Sequence, residues 1–122
     1  ANWHSFFRAP LCQKLTDLTI RSLQFGEDHG GCEALVRSGS LNHLTRLDLR
    51  RCNLIDANAL LLAAVPAISN LTWLDVGNNQ LTLASIERLQ ELEIPLQWDS
   101  QANEYDEFEL DIGEFEANGE EP

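Results

Sequence analysis

Leu44-Thr45-Arg46-Leu47-Asp48-Leu49 decides the fold of this chain, because the segment recurs. Leu71-Thr72-Trp73-Leu74-Asp75-Val76 begins 27 residues later, and Leu15-Thr16-Asp17-Leu18-Thr19-Ile20 begins 29 residues earlier. Self-similarity at such a period marks a supersecondary unit stacked on copies of itself. Within each copy the apolar residues alternate, as at Leu47 and Leu49, which predicts a short strand with one face buried.

A helical stretch follows each strand. Asp56 to Val65 is the clearest, and Pro66 stops it because proline has no N–H to donate. Ser85 to Leu92 is the last such stretch, and Gly31 to Arg37 is the first, ended by Ser38-Gly39. The two extra residues of the first period are expected in the glycine-rich turn Gly26–Gly31. The approach to each strand repeats as well. Pro10, Gly39 and Pro66 stand five residues before the first Leu of each copy, and Cys12, Leu41 and Ile68 stand three before it. By that register Trp3 to Arg8 closes a preceding helix, so further repeats or a domain upstream in the same chain are expected. Leu92 to Trp98 reads as a final strand, with Pro95 suited to a sheet edge.

The second copy runs Leu44-x-x-Leu47-x-Leu49-x-x-Cys52-x-Leu54 and the third Leu71-x-x-Leu74-x-Val76-x-x-Asn79-x-Leu81. Together they resemble the leucine-rich repeat, L-x-x-L-x-L-x-x-N/C-x-L. The period and the Cys option are most similar to the ribonuclease-inhibitor-like subtype. The first copy keeps Leu15, Leu18, Ile20 and Phe25 but has Leu23 where Asn or Cys is expected. The resemblance implies an α/β solenoid, a horseshoe with short parallel strands on its concave side and helices outside. It covers about residues 10–94. On that basis residues 1–98 form a repeat domain of about three repeats, a truncated preceding repeat and a terminal strand, and residues 99–122 form an acidic tail.

Charge is divided unevenly between these parts. Of the 122 residues, 20 are acidic and eight basic, a net charge of −12. Residues 1–98 hold ten acids and eight bases, whereas residues 99–122 hold ten acids and no base. Neither part offers the basic face that DNA or RNA requires, so no nucleic acid is expected as partner. The longest apolar run, Ala59 to Ile68, is too short to span a bilayer and contains Pro66, so no membrane partner is expected either. Cys12, Cys32 and Cys52 lie twenty residues apart, an odd set without close pairs. That pattern predicts buried free thiols in a reducing compartment, the cytoplasm, rather than disulfides or a zinc site.

No catalytic constellation is apparent, so the chain reads as a non-enzyme with no cofactor and no metal. Asp28-His29-Gly30-Gly31-Cys32 places a thiol near an imidazole, but a glycine-rich turn into a helix accounts for the same residues. The resemblance instead directs attention to the outward positions of the strands. These are Asp17, Thr19, Arg21 and Ser22, then Arg46, Asp48, Arg50 and Arg51, then Trp73, Asp75, Gly77 and Asn78, then Glu91 and Glu93. Strand spacing of about 4.8 Å sets Arg46 between Asp17 and Trp73, and Arg21 beside Arg50. An exposed Trp flanked by Arg has the composition of an interface hot spot. A protein partner docked on Arg46, Asp48, Arg50, Trp73 and Asp75 is one reading. An internal ladder, with Arg46 stacked on Trp73 and paired with Asp17, is the other. A third possibility makes the whole segment the structural C-terminal cap of a longer protein whose activity lies upstream. In the acidic tail, Tyr105, Phe108, Leu110, Ile112 and Phe115 interleave with acids. They suit a segment folded back on the last repeat, a motif that orders on a basic partner, or a purely solvating tail.

Overall fold

The structure, a computed structural model, describes residues 2–102. The expectations for Tyr105, Phe108, Leu110, Ile112 and Phe115 lie outside the described residues. Strands and helices alternate along the chain: α1 Trp3–Arg8, β1 Asp17–Thr19, α2 Gly31–Ser38, β2 Arg46–Asp48, α3 Asp56–Ala63, β3 Trp73–Asp75, α4 Leu83–Gln90 and β4 Leu96–Gln97. The four strands form one parallel sheet in sequence order, β1-β2-β3-β4. Each helix packs against the next, α1 on α2, α2 on α3 and α3 on α4. The architecture is therefore α/β and repeat-like, with a row of strands and a row of helices.

The register follows from the leucines. Leu18, Leu47, Leu74 and Leu96 are successive partners across the sheet. Leu47 and Leu74 are fully buried, whereas Leu18 and Leu96, at the two ends, are only half-buried. The helices repeat more strictly than the strands. Leu35, Leu62 and Leu89 are buried at a constant spacing of 27, as are Cys32, Ala59 and Ile86. Phe25 and Leu54 are equivalent and buried but stand 29 apart. The two extra residues of the first period thus fall between Phe25 and Cys32, in the expected glycine-rich turn. There the Gly31 N–H donates to the Phe25 carbonyl at 3.0 Å, closing the loop on itself. Gly26 passes so close to the Cys52 and Asn53 carbonyls that any side chain on it would collide with backbone.

Short 3-10 turns precede the first three strands at Cys12–Lys14, Ser40–Asn42 and Pro66–Asn70. They turn Cys12, Leu41 and Ile68 into the core, as the repeated lead-in predicts. Helix ends obey local chemistry. Gly39 ends α2 in the left-handed conformation, φ 77°, with its N–H on the Val36 carbonyl. Helix α3 ends at Ala63, two residues before the sequence expectation, because Val65 precedes a proline and takes an extended conformation, φ −90° and ψ 121°. Helix α4 starts at Leu83, two residues earlier than expected. Asp56, at the start of α3, accepts from the Thr82 N–H at 2.9 Å, the Thr82 hydroxyl at 2.7 Å and the Ser85 hydroxyl at 2.6 Å. Those bonds fix the first turn of α4 against α3.

At the N-terminal end, α1 carries an aromatic group onto the first repeat. The Trp3 ring meets Phe25 edge-on at 4.9 Å, and its indole N–H donates to the Gln24 carbonyl at 2.9 Å. All three cysteines are free and buried. Burial pushes the Cys32 thiol up to about 12, so it behaves as a small apolar side chain and not as a nucleophile. Among the described residues, no helix is long and apolar enough to cross a membrane.

Candidate functional site

The turns after β2, β3 and β4 are each held by one inward side chain. The Asn79 carboxamide oxygen accepts from the Cys52 and Leu54 N–H groups at 2.9 and 3.0 Å. Its NH2 group donates to the carbonyls of Leu49, Val76 and Gly77 at 3.0, 2.8 and 3.0 Å. One buried amide thus bonds five backbone groups of two adjacent turns. Cys52 occupies the equivalent place one turn earlier, where its thiol donates to the Ile20 carbonyl at 3.0 Å. Gln101 occupies it one turn later. It is fully buried, accepts from the Leu81 N–H at 2.9 Å and donates to Val76 and Trp98 carbonyls at 2.8 and 3.0 Å. Leu23, at the corresponding place in the first turn, is 67% exposed. A leucine has nothing to offer those backbone groups and points away.

This scaffold presents three rows of side chains across the outer face of the strands. The first row is Asp17, Arg46 and Trp73, paired in register as the sequence places them. The Arg46 guanidinium stands over the Trp73 ring at 4.4 Å from its centroid and reaches Asp17 only loosely, at 3.9 Å. The second row is Thr19, Asp48, Asp75 and Gln97. The third holds Arg21 and Arg50, each reaching diagonally to the next strand's carboxylate. Arg21 forms a two-pronged pair with Asp48 at 2.7 and 2.8 Å. Arg50 bonds Asp75 at 3.1 Å and Asp99 at 3.0 Å.

These pairs assign different roles to the five residues singled out by sequence. Asp75 is 4% exposed, covered by Arg50, and accepts from the Gly77 N–H at 2.9 Å. It positions Arg50 and offers little surface of its own to a partner. Asp48 is half-buried. Burial raises its carboxyl, but the Arg21 guanidinium and the Arg50 N–H outweigh that and hold it below the usual carboxylate range. Arg50 is raised by its bonds to Asp99 and Asp75 and is fully engaged. Arg46 and Trp73 remain the accessible pair. Together with Asp17, Leu18, Thr19 and Asp48 they line a shallow depression of about 130 Å³.

The expected fourth row differs from the observed one. Glu91 ends α4 and Glu93 lies in the following turn, so neither is on the sheet. Leu96 and Gln97 pair with Leu74 and Asp75, which makes Gln97 and Asp99 the outward residues of the last turn. The signal was present in the sequence. Gln101 stands five residues after Leu96, as Asn79 stands five after Leu74. Its larger amide and the 22-residue spacing between Asn79 and Gln101 concealed the equivalence. Asp99, grouped with the acidic tail by composition, is a ligand of Arg50.

No family model, curated protein or solved structure matches this chain.

Proposed function

We propose that this chain is a leucine-rich-repeat interaction module, without enzymatic activity, that docks a protein partner on the strand face. The repeat reading rests on the equivalence of Cys52, Asn79 and Gln101 as inward side chains of successive turns. One observation carries the binding reading. Arg46 is half exposed, stacked on Trp73 and held by a carboxylate only loosely, at 3.9 Å. Surface pairs of that length contribute little to stability, about 0–1 kcal/mol, so folding alone is a weak reason for the arrangement. Trp and Arg are the residues from which interface hot spots are built. A partner supplying a carboxylate to Arg46 and an apolar group to the Trp73 edge would fit the depression. Free buried thiols suit a reducing compartment, the cytoplasm.

The test is a comparison of the native chain with the double variant Trp73→Ala, Arg46→Ala. Unchanged far-ultraviolet circular dichroism establishes that the variant folds. Loss of partner capture by the immobilised variant supports the strand face, and undiminished capture rejects it.

A second reading, a structural cap at the C-terminal end of a longer protein, draws on the last turn. Strand β4 has only two residues, Pro95 precedes it, and Gln101 closes the turn beneath. Under that reading the double variant binds whatever the native chain binds.

A further inference from the structure

Helix α3 is unusual in its outer surface. The exposed positions of α2 include Glu33 and Arg37, and those of α4 are Leu83 and Ala84 in its first turn with Glu87 and Gln90 beyond. Ala57, Leu60 and Leu61 on α3 and Ala64 at its C-cap are exposed, spaced as one face of a helix, with Leu60 at 50%. Nothing in a solvated helix favours four apolar residues on its water-facing side.

Beside this stripe lies a groove of about 330 Å³ between the first turns of α2 and α3. Cys32, Ala57 and Leu61 give it an apolar lining, and Glu27, Asp28 and Glu33 contribute its charge. Among the described residues, no basic residue lines it. Glu27 accepts a neutral hydrogen bond from Asn53, and Glu33 pairs with the exposed Arg37 at 3.0 Å. Asp28 has no ion-pair partner among the described residues. The N-terminus of α2 contributes about half a positive charge nearby, which three carboxylates exceed. The groove is thus apolar within and anionic at its edge. An anionic membrane surface is repelled by that edge, and a second copy of this chain brings a net charge of −12 of its own.

We propose that the groove between α2 and α3 docks a short cationic amphipathic segment of a partner protein, with apolar side chains on Ala57 and Leu61 and Lys or Arg on Asp28 and Glu33. The site is separate from the strand face and does not depend on it. A helix with Leu on one side and Lys on the flanks has the required form.

A synthetic Leu/Lys amphipathic helix of about four turns serves as probe, titrated into the full chain while backbone amides are followed by NMR. A Leu/Glu peptide of the same pattern is the control. The acidic residues 103–122 also attract cations, so the location of the shifts decides. Saturable shifts at Cys32, Ala57 and Leu61, weakened about fivefold or more by Asp28→Asn with Glu33→Gln and by about 0.5 M salt, support the proposal. Leu61→Ser tests the apolar contact independently, with a comparable loss expected. Shifts confined to residues 103–122, equal binding of the Leu/Glu peptide, or binding insensitive to both variants overturns it. Self-association of the free chain abolished by Leu61→Ser would assign the stripe to a second copy and overturn it as well.

Discussion

The guanidinium of Arg50 lies across the bare Cα of Gly77, its Nη1 2.5 Å from where a Cβ would stand. The bare glycine leaves room for this approach, which lets one arginine tie the turn after β2 to the buried Asp75 of β3 and to Asp99 of the last turn. Gly77→Ala should displace Arg50 and leave Asp75 buried with reduced compensation. Losing partners for a buried polar group costs about 1–3 kcal/mol, and urea unfolding should show a loss in that range. In an Arg50→Ala background the same Gly77→Ala change should cost much less, because the side chain it collides with is gone. Equal costs in both backgrounds would mean that the glycine serves some other contact.

The inward side chains of successive turns should rank by the bonds they make. Asn79→Ala removes five hydrogen bonds to the backbone, two of them to the buried Cys52 and Leu54 N–H groups, and should destabilise by about 3 kcal/mol or more. Gln101→Ala removes three bonds and should cost about 1–3 kcal/mol. Cys52→Ala loses weak thiol donors and a little buried volume, and should cost about 1 kcal/mol. Chemical denaturation of the three variants in one buffer gives the order. A Gln101→Ala variant as stable as the native chain would return that residue to the acidic tail.

That ranking explains how much could be read from the sequence. Leu47, Leu74 and the constant spacing of Leu35, Leu62 and Leu89 express burial, which a one-dimensional pattern records directly. The contacts between Arg46, Asp17 and Trp73 followed from strand spacing alone. What escaped depended on shape. Gln101 makes the bonds of an asparagine from a longer side chain, so its place is defined by three dimensions and not by residue type. Asp99 looks like the first residue of an acidic run until Arg50 is seen to reach it across Gly77. Asp75 reads as an outward strand position, yet a neighbouring arginine covers it. The groove beside α3 has no motif at all, because its lining joins residues from two different repeats.

Acid should weaken the fold through carboxylates engaged by their partners. Arg50 is the main cause of the lowered Asp99 carboxyl. Burial raises Asp48 and Asp56, but Arg21 bonds to the former and Ser85 and Thr82 bonds to the latter leave both lowered. A carboxyl lowered in the folded state binds fewer protons there than in the unfolded chain. Its contribution is therefore complete above the unfolded value of about 3.9 and is lost as pH falls through the folded value. Urea midpoints should be nearly constant from neutral pH to about 5 and should drop below about 4. Asp56→Asn should lower the midpoint at neutral pH and flatten the acid limb. An acid limb identical to that of the native chain would mean that Asp56 is not among the groups responsible.

At the other end of the scale the thiols should reverse the slope. Burial raises Cys32 to about 12 and also raises Cys52, against the partly offsetting Ser22 backbone bond and Arg21 charge. The unfolded chain releases these protons first, from about 8.5. Between that value and about 12 the folded state holds more protons, so the stability present at neutral pH is lost progressively as pH rises. Cys32→Ala should reduce the alkaline slope while lowering neutral stability only modestly, since the side chain acts there as a small apolar group. The same burial predicts that a thiol-specific reagent at pH 8 modifies Cys32 and Cys52 at the rate of opening of the repeats, and Cys12, which is 8% exposed, sooner. Raising the reagent concentration separates the cases: a rate that reaches a plateau reports opening, whereas one that climbs without limit at Cys32 would mean that the thiol is accessible in the folded chain and that the groove lined by it is deeper than described.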